Sequence, residues 1–253
     1  MAMKQSFSLA ILLLFLMASC GDGPKEKTTA GEGKTSGSES AEMDSTQTDS
    51  IKKDAVRKDS TNQKKEDDFV LTEDNAVDFF FDYQKDLEVD KVKITTRLGS
   101  FTVQLFDNVP YHKANFIYLT RKGYFNDTQF HRIVKDFIIQ GGNSDDRETG
   151  RKRSEIGRYL LPPDTRKGHR HHRGTLSMPS SEKEDNPHML ASPYEFFIVV
   201  TDPGSYHLDG DYTPFGRVIE GMDVVDKINN APTGEQGDWP LQNIYIQNAE
   251  VVE

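Results

Sequence analysis

Cysteine is almost absent: Cys20 is the sole one in 253 residues. That excludes a disulfide within one chain, a cysteine-built zinc cluster and a redox thiol pair. Positive charge is in deficit, with 31 Lys and Arg against 41 Asp and Glu and a formal net charge of −10. This balance argues against nucleic acid as a partner and against an electrostatic grip on an anionic membrane. Long apolar runs are scarce. The run from Leu9 to Ala18 is too short to span a bilayer as a stable helix. Aromatics are missing from residues 21–68, where Gly, Ser, Thr, Lys, Glu and Asp dominate. Such a stretch cannot bury enough apolar surface to offset its ordering entropy.

What is present divides the chain into four parts. Lys4, the apolar run and the small residues Ala18-Ser19 before Cys20 resemble the cleavage box of a bacterial lipoprotein. Residues 1–20 are therefore expected to be a signal peptide, with Cys20 as the lipid anchor. The protein is then exported and held on the cell envelope, facing the periplasm or the cell surface. Two or three acyl chains hold firmly, since one chain binds only marginally. Residues 21–68 are expected to be a polar tether spanning on the order of 40 Å as a coil. Residues 69–90 form a helical extension, and residues 91–253 one ordinary domain, monomeric by default.

Within the extension, Leu71 to Lys85 has apolar residues at helical spacing, with Thr72 as its cap. In the domain, Lys91–Leu98 and Phe101–Leu105 alternate as strands, with Gly99-Ser100 as the hairpin signal between them. Pro110 suits a helix first turn and Gly123 its end. Short strands follow from Phe130 onward, at 174–178, 196–200, 215–219 and 243–252, with a second helix marked by Val224, Val225 and Ile228. Many short strands with few helices point to a mainly β barrel or sandwich.

The run from Phe130 to Gly142 is the most informative. It sets one fixed cation, Arg132, in an apolar strand pattern ending on Gln140 and two glycines. A buried arginine is costly unless it is paired or used. The run Glu195 to Val200 follows, then Leu208-Asp209-Gly210 and Phe215-Gly216. In order and spacing, together with Asn115-Phe116, Gly123-Tyr124-Phe125 and Glu220-Gly221-Met222, these segments resemble the cyclophilin family of peptidyl-prolyl isomerases. The resemblance implies a closed eight-stranded antiparallel barrel with a helix at each end, here with an extra N-terminal helix. It implies proline-containing polypeptides as substrates, with no cofactor and no metal.

By resemblance, Arg132 is the catalytic donor to the prolyl nitrogen. Phe137, Ile138, Phe197 and Leu208 form the cup for the proline ring. Gln140 holds a substrate carbonyl or positions Arg132, and His131 stands at the site's edge. Pro179, Ser180, Glu195, His207 and Tyr212 complete the substrate-binding set. Some positions depart from the family pattern: Glu195 stands where Gln is usual, Pro179-Ser180 where Ala and Asn are common, and His207 where some members carry Trp. A carboxylate at 195 is expected either to pair with Arg132 or to change how the peptide is held. These departures keep open an alternative, a proline-peptide binding module with little turnover. His169, His171 and His172 lie in a basic stretch, read as a solvated loop rather than a metal site. Asp145-Asp146 and Asp209-Gly210-Asp211 lack a full calcium-loop pattern and read as turns.

Overall fold

The structure, a computed structural model, describes residues 69–234 and 237–253. The expected signal peptide, Cys20 and the tether lie outside these residues. In chain order the elements are β1 (Leu71–Thr72), α1 (Ala76–Tyr83), β2 (Lys91–Thr96), β3 (Gly99–Leu105), α2 (Pro110–Arg121), β4 (Gln129–Val134) and β5 (Ile138–Asn143). Then come α3 (Arg147–Ile156), β6 (Gly157–Arg158), β7 (Thr175–Met178), β8 (Phe196–Val199), β9 (Thr213–Glu220), α4 (Met222–Asn229) and β10 (Ile246–Val252). Short 3-10 turns occupy Gln84–Asp86 and Tyr206–Leu208.

Period-two alternation builds the sheet. Val92, Ile94 and Thr96 of β2 and Phe101, Val103 and Leu105 of β3 face the core. Each fully buried Phe, Ile or Leu contributes about 1.5–3 kcal/mol of apolar burial. Eight strands pair antiparallel in the order β10-β2-β3-β9-β7-β8-β5-β4. The sheet curls until its two edges meet near one end. There Gln129 bridges Tyr245, and the amides of Phe130 and Ile246 donate to the carbonyls of Ile244 and Thr128, both at 2.8 Å. Further along, the β4 edge is taken by the loop before β10, Ile133 N–H donating to Asp238 O at 2.6 Å.

Nearly all of α2 is buried, from His112 through Thr120. A helix apolar on one stripe needs only one covering layer; this one has two. The curled sheet takes one side. On the other, α1 brings Phe79, Phe80 and Tyr83 against Tyr118, with ring centroids 5.2–5.8 Å apart. Helix α4 buries Val224, Val225 and Ile228, as its spacing predicts.

Three local expectations change. The helix in the extension starts at Ala76 with Asn75 before it, not at Thr72. Thr72 lies in β1, which pairs with β6, and its N–H donates to the Asn75 side chain at 2.8 Å. The first hairpin turns at Arg97-Leu98, and Gly99 already pairs with Thr96. The Thr96 hydroxyl closes that turn by accepting from Leu98 N–H at 3.1 Å. Gly99 is needed for its backbone, with φ 128° and room for a Cβ only 2.8 Å from Val224. Helix α3 was not expected at all. It buries only Thr149 and Ile156, so no apolar period marks it. Its signals are polar: an Asp146 cap accepting from Glu148 N–H at 3.1 Å, and Arg151 paired with Glu148 and Glu155.

Candidate functional site

The site begins with a bulge. Phe130 pairs with Gly141 and Arg132 with Gln140, so the β4 strand carries one residue more than β5 between them. Strict alternation would put Arg132 on the same face as Phe130. The extra residue lets Phe130 and Ile133 both point inward while Arg132 stays outside.

Beyond the bulge, one row crosses the outer face. Arg132 of β4 lies opposite Gln140 of β5, which lies opposite Phe197 of β8. Directly opposed residues share a face, and strands are about 4.8 Å apart, so the Arg132 and Phe197 backbones are separated by about 10 Å. The next row on that face is Val134, Ile138 and Val199. Ile138, Phe197 and Val199 form an apolar cluster of their own, distinct from the main core, with Val134, Phe137, Leu208 and Tyr212 packed around it. Phe130 belongs to the main core. Tyr212 meets Phe197 edge-on at 5.7 Å, and His207 stacks on Phe137 at 5.4 Å.

Braces from elsewhere hold this dimple. Asn229 at the end of α4 accepts from Asp136 N–H at 2.9 Å and donates to Val134 O at 2.9 Å, pinning the turn that presents Phe137. Phe137 O accepts from Val200 N–H at 2.7 Å. Behind Phe197 lies His171, fully buried and stacked on that ring at 6.0 Å. Its Nδ1 meets Asp209 at 2.8 Å and its Nε2 meets the Ser177 hydroxyl at 3.1 Å. Burial lowers the His171 pKa more than Asp209 raises it, so the ring is neutral. The basic loop is therefore not wholly solvated. His169 stacks on Phe106 and His172 meets Tyr206, so the three histidines diverge. The Asp209, His171 and Ser177 set is not a nucleophile relay: Ser177 has no exposed surface, and its hydroxyl donates to Thr213 O at 2.8 Å.

Charge is arranged around the rim. The Arg132 guanidinium is 3.2 Å from Asp238, both side chains a little over 40% exposed, so solvent screens the pair and leaves the fork free to exchange partners. Glu195 does not pair with Arg132. It accepts from Gln140 at 2.8 Å and Asn143 at 3.0 Å, with His131 Nε2 at 3.5 Å and Arg153 at 3.7 Å. Gln140, opposite Arg132, turns its amide to Glu195, while the Arg132 guanidinium turns to Asp238. Burial raises the Glu195 pKa, but hydrogen bonds from His131 and Gln140 and the Arg153 charge outweigh it and hold the carboxyl below its usual range.

Pro179 and Ser180 lie just past β7, half-buried. The Ser180 hydroxyl donates to Leu190 O at 3.0 Å and accepts from Asn186 at 2.8 Å, so it braces the 181–191 loop. The sequence reading missed Asp238, Asn143, Arg153, His171 and Asn229. Asp238 and Asn229 are remote in sequence and reach the site only through folding. Arg153 rides on α3. Asn143, next to the glycine pair, was the one within reach.

Comparisons with known proteins agree with this geometry. The family model described as "Cyclophilin type peptidyl-prolyl cis-trans isomerase/CLD" matches residues 91–251. The chain is 33% identical over 172 residues to "Peptidyl-prolyl cis-trans isomerase B" of Escherichia coli, covering 64% of this chain and 99% of that protein. It is 36% identical over 167 residues to "Peptidyl-prolyl cis-trans isomerase" of Acinetobacter baylyi, covering 63% and 84%. It is also 36% identical over 173 residues to "Peptidyl-prolyl cis-trans isomerase-like 2" of Rhizopus delemar, spanning only 30% of that longer protein. A crystal structure of a Cryptosporidium parvum cyclophilin type peptidyl-prolyl cis-trans isomerase aligns with TM-score 0.55 and 27% identity, covering 65% of this chain and 98% of that one. A second structure of that protein was determined in the presence of the dipeptide Ala-Pro.

Proposed function

The chain belongs to the cyclophilin-type peptidyl-prolyl cis-trans isomerase family and is an isomerase of that kind; from this premise we propose that Arg132 is its catalytic donor. A prolyl amide resists rotation by about 18–20 kcal/mol because twisting breaks its resonance. In the twisted state the proline nitrogen becomes pyramidal and accepts a hydrogen bond that the planar amide hardly accepts. A donor aimed there binds the transition state selectively. Each tenfold in rate takes about 1.4 kcal/mol, and a charge-assisted hydrogen bond supplies about 1.5–3 kcal/mol. The rest comes from gripping the proline ring in the dimple while the other side of the amide turns.

The observation that carries this reading is the row Arg132, Gln140, Phe197 on one outer face. It sets a half-exposed guanidinium fork beside an apolar seat, about two strands away. Gln140, held by Glu195, would take a peptide backbone group, with Ile138, Phe137, Leu208 and Tyr212 around the ring. Pro179, Ser180 and His207 would touch flanking residues. The bridge between Gln129 and Tyr245 supports treating the curled sheet as a closed barrel.

Isomerisation of proline peptides by the wild type and by Arg132→Ala tests the assignment. Turnover should fall at least tenfold in the variant while peptide affinity holds. Equal turnover would refute the role of Arg132. Peptide binding without wild-type turnover would favour the binding-module reading, which the Asp238 contact to Arg132 keeps physically reasonable. We also propose that the enzyme is monomeric and acts on exported proteins from a lipid anchor at Cys20. Loss of labelled palmitate and of membrane association in Cys20→Ser tests the anchor.

A further inference from the structure

We infer that a second, polar pocket beside the isomerase site receives a lysine or arginine side chain of the substrate; this rests on the function proposed above. The pocket has a volume of about 100 Å³. That is room for roughly three waters, enough for an ammonium or guanidinium head. Its walls include Gln129, His131, Asn143, Asp145, Trp239 and Asn243. None of its lining is aliphatic, unlike the dimple.

Two features select a cation. Asp145 is exposed and forms no ion pair among the described residues. Trp239 is 61% exposed, far above the norm for so apolar a ring, and stands 6.0 Å from the His131 ring. An indole face attracts a cation more strongly than any other side-chain ring.

The nearby cations do not oppose this. Arg132 is paired to Asp238 and Arg153 lies against Glu195. The same loop supplies both Asp238 and Trp239, and Ile133 N–H anchors it to the β4 edge. Pocket and catalytic fork are thus held at a set spacing, so the preference should appear at one position near the proline.

The test is exchange NMR on proline peptides carrying Lys, norleucine or Glu at each flanking position in turn. The full chain and its Asp145→Asn and Trp239→Ala variants are compared. At one position Lys should exceed norleucine roughly tenfold in kcat/KM, the sum of a modest cation–π contact and an exposed ion pair. The ratio should fall towards unity in both variants and at high salt. Because Trp239 is the chain's single tryptophan, its fluorescence should respond to the Lys peptide and not to the norleucine peptide. Equal turnover of all three peptides, or a Lys preference that survives Asp145→Asn, overturns the inference and leaves the isomerase reading intact. If no peptide turns over, both fall.

Discussion

His112 makes the fold acid-sensitive in a window where carboxylates are silent. It lies on α2, wholly buried, and neither ring nitrogen has a hydrogen-bond partner. Burial lowers its pKa from 6.5 to about 3. The folded state therefore holds a neutral ring down to pH values at which the unfolded chain has bound a proton. A depressed folded pKa means stability that is present above 6.5 and is lost as pH falls towards 3. At pH 5 the unfolded-state proton is worth about 2 kcal/mol, from about 1.4 kcal/mol per pH unit over one and a half units. His171 is lowered by burial as well and adds to the loss with the same sign. Glu195 and Asp209 are held below the usual carboxylate range and contribute only at lower pH. Urea unfolding of the domain at pH 7.5, 6.5, 5.5 and 5 reads the slope directly, as order-of-magnitude steps of the linkage relation. In His112→Leu that slope should flatten by about one proton. At neutral pH the variant should be no less stable than its volume change requires, since it also removes an unpaired buried donor worth about 1–3 kcal/mol. An unchanged slope between pH 6.5 and 5 in His112→Leu would refute the argument.

Asn229→Ala should destabilise the domain by about 1–3 kcal/mol, because it strips partners from the Asp136 amide and the Val134 carbonyl. It should also raise KM for peptides by loosening Phe137; a change in Tm with KM unmoved would show the turn is held by Phe137's own backbone bonds instead. Glu195→Gln should keep one of the Gln140 and Asn143 contacts and lose the other, since its amide nitrogen donates where a carboxylate oxygen accepted, and so should cost less than Glu195→Ala, which should cost about 1–3 kcal/mol in denaturant unfolding; equal losses would mean the charge, not the hydrogen bonds, carries the role. Gly142→Ala should lose more than about 3 kcal/mol or fail to fold. Its φ is 97° and a Cβ would stand 2.4 Å from Tyr194 O, so a soluble variant with wild-type Tm would contradict the packing.

Several elements were readable because their signals are local. The alternation of Val92, Ile94, Phe101 and Val103 sets strands, and Pro110 and Gly123 bracket α2. Helix α3 escaped because its stability comes from a cap and ion pairs, not from an apolar stripe. The turn was misplaced by two residues because Gly99 serves the packing of Val224 and not the turn itself.

The site divides along the same line. The order of residues from Phe130 to Gly142 and from Glu195 to Val200 was enough to point to the family, and so to Arg132, Gln140 and Phe197 as a set. Only the folded chain decided that a bulge turns Arg132 outward, that Asp238 rather than Glu195 meets it, and that His171 supports Phe197 from behind. A linear pattern records which chemistry is available. Which charge meets which depends on strand register and on loops converging from distant parts of the chain, and those contacts exist only once the sheet has curled.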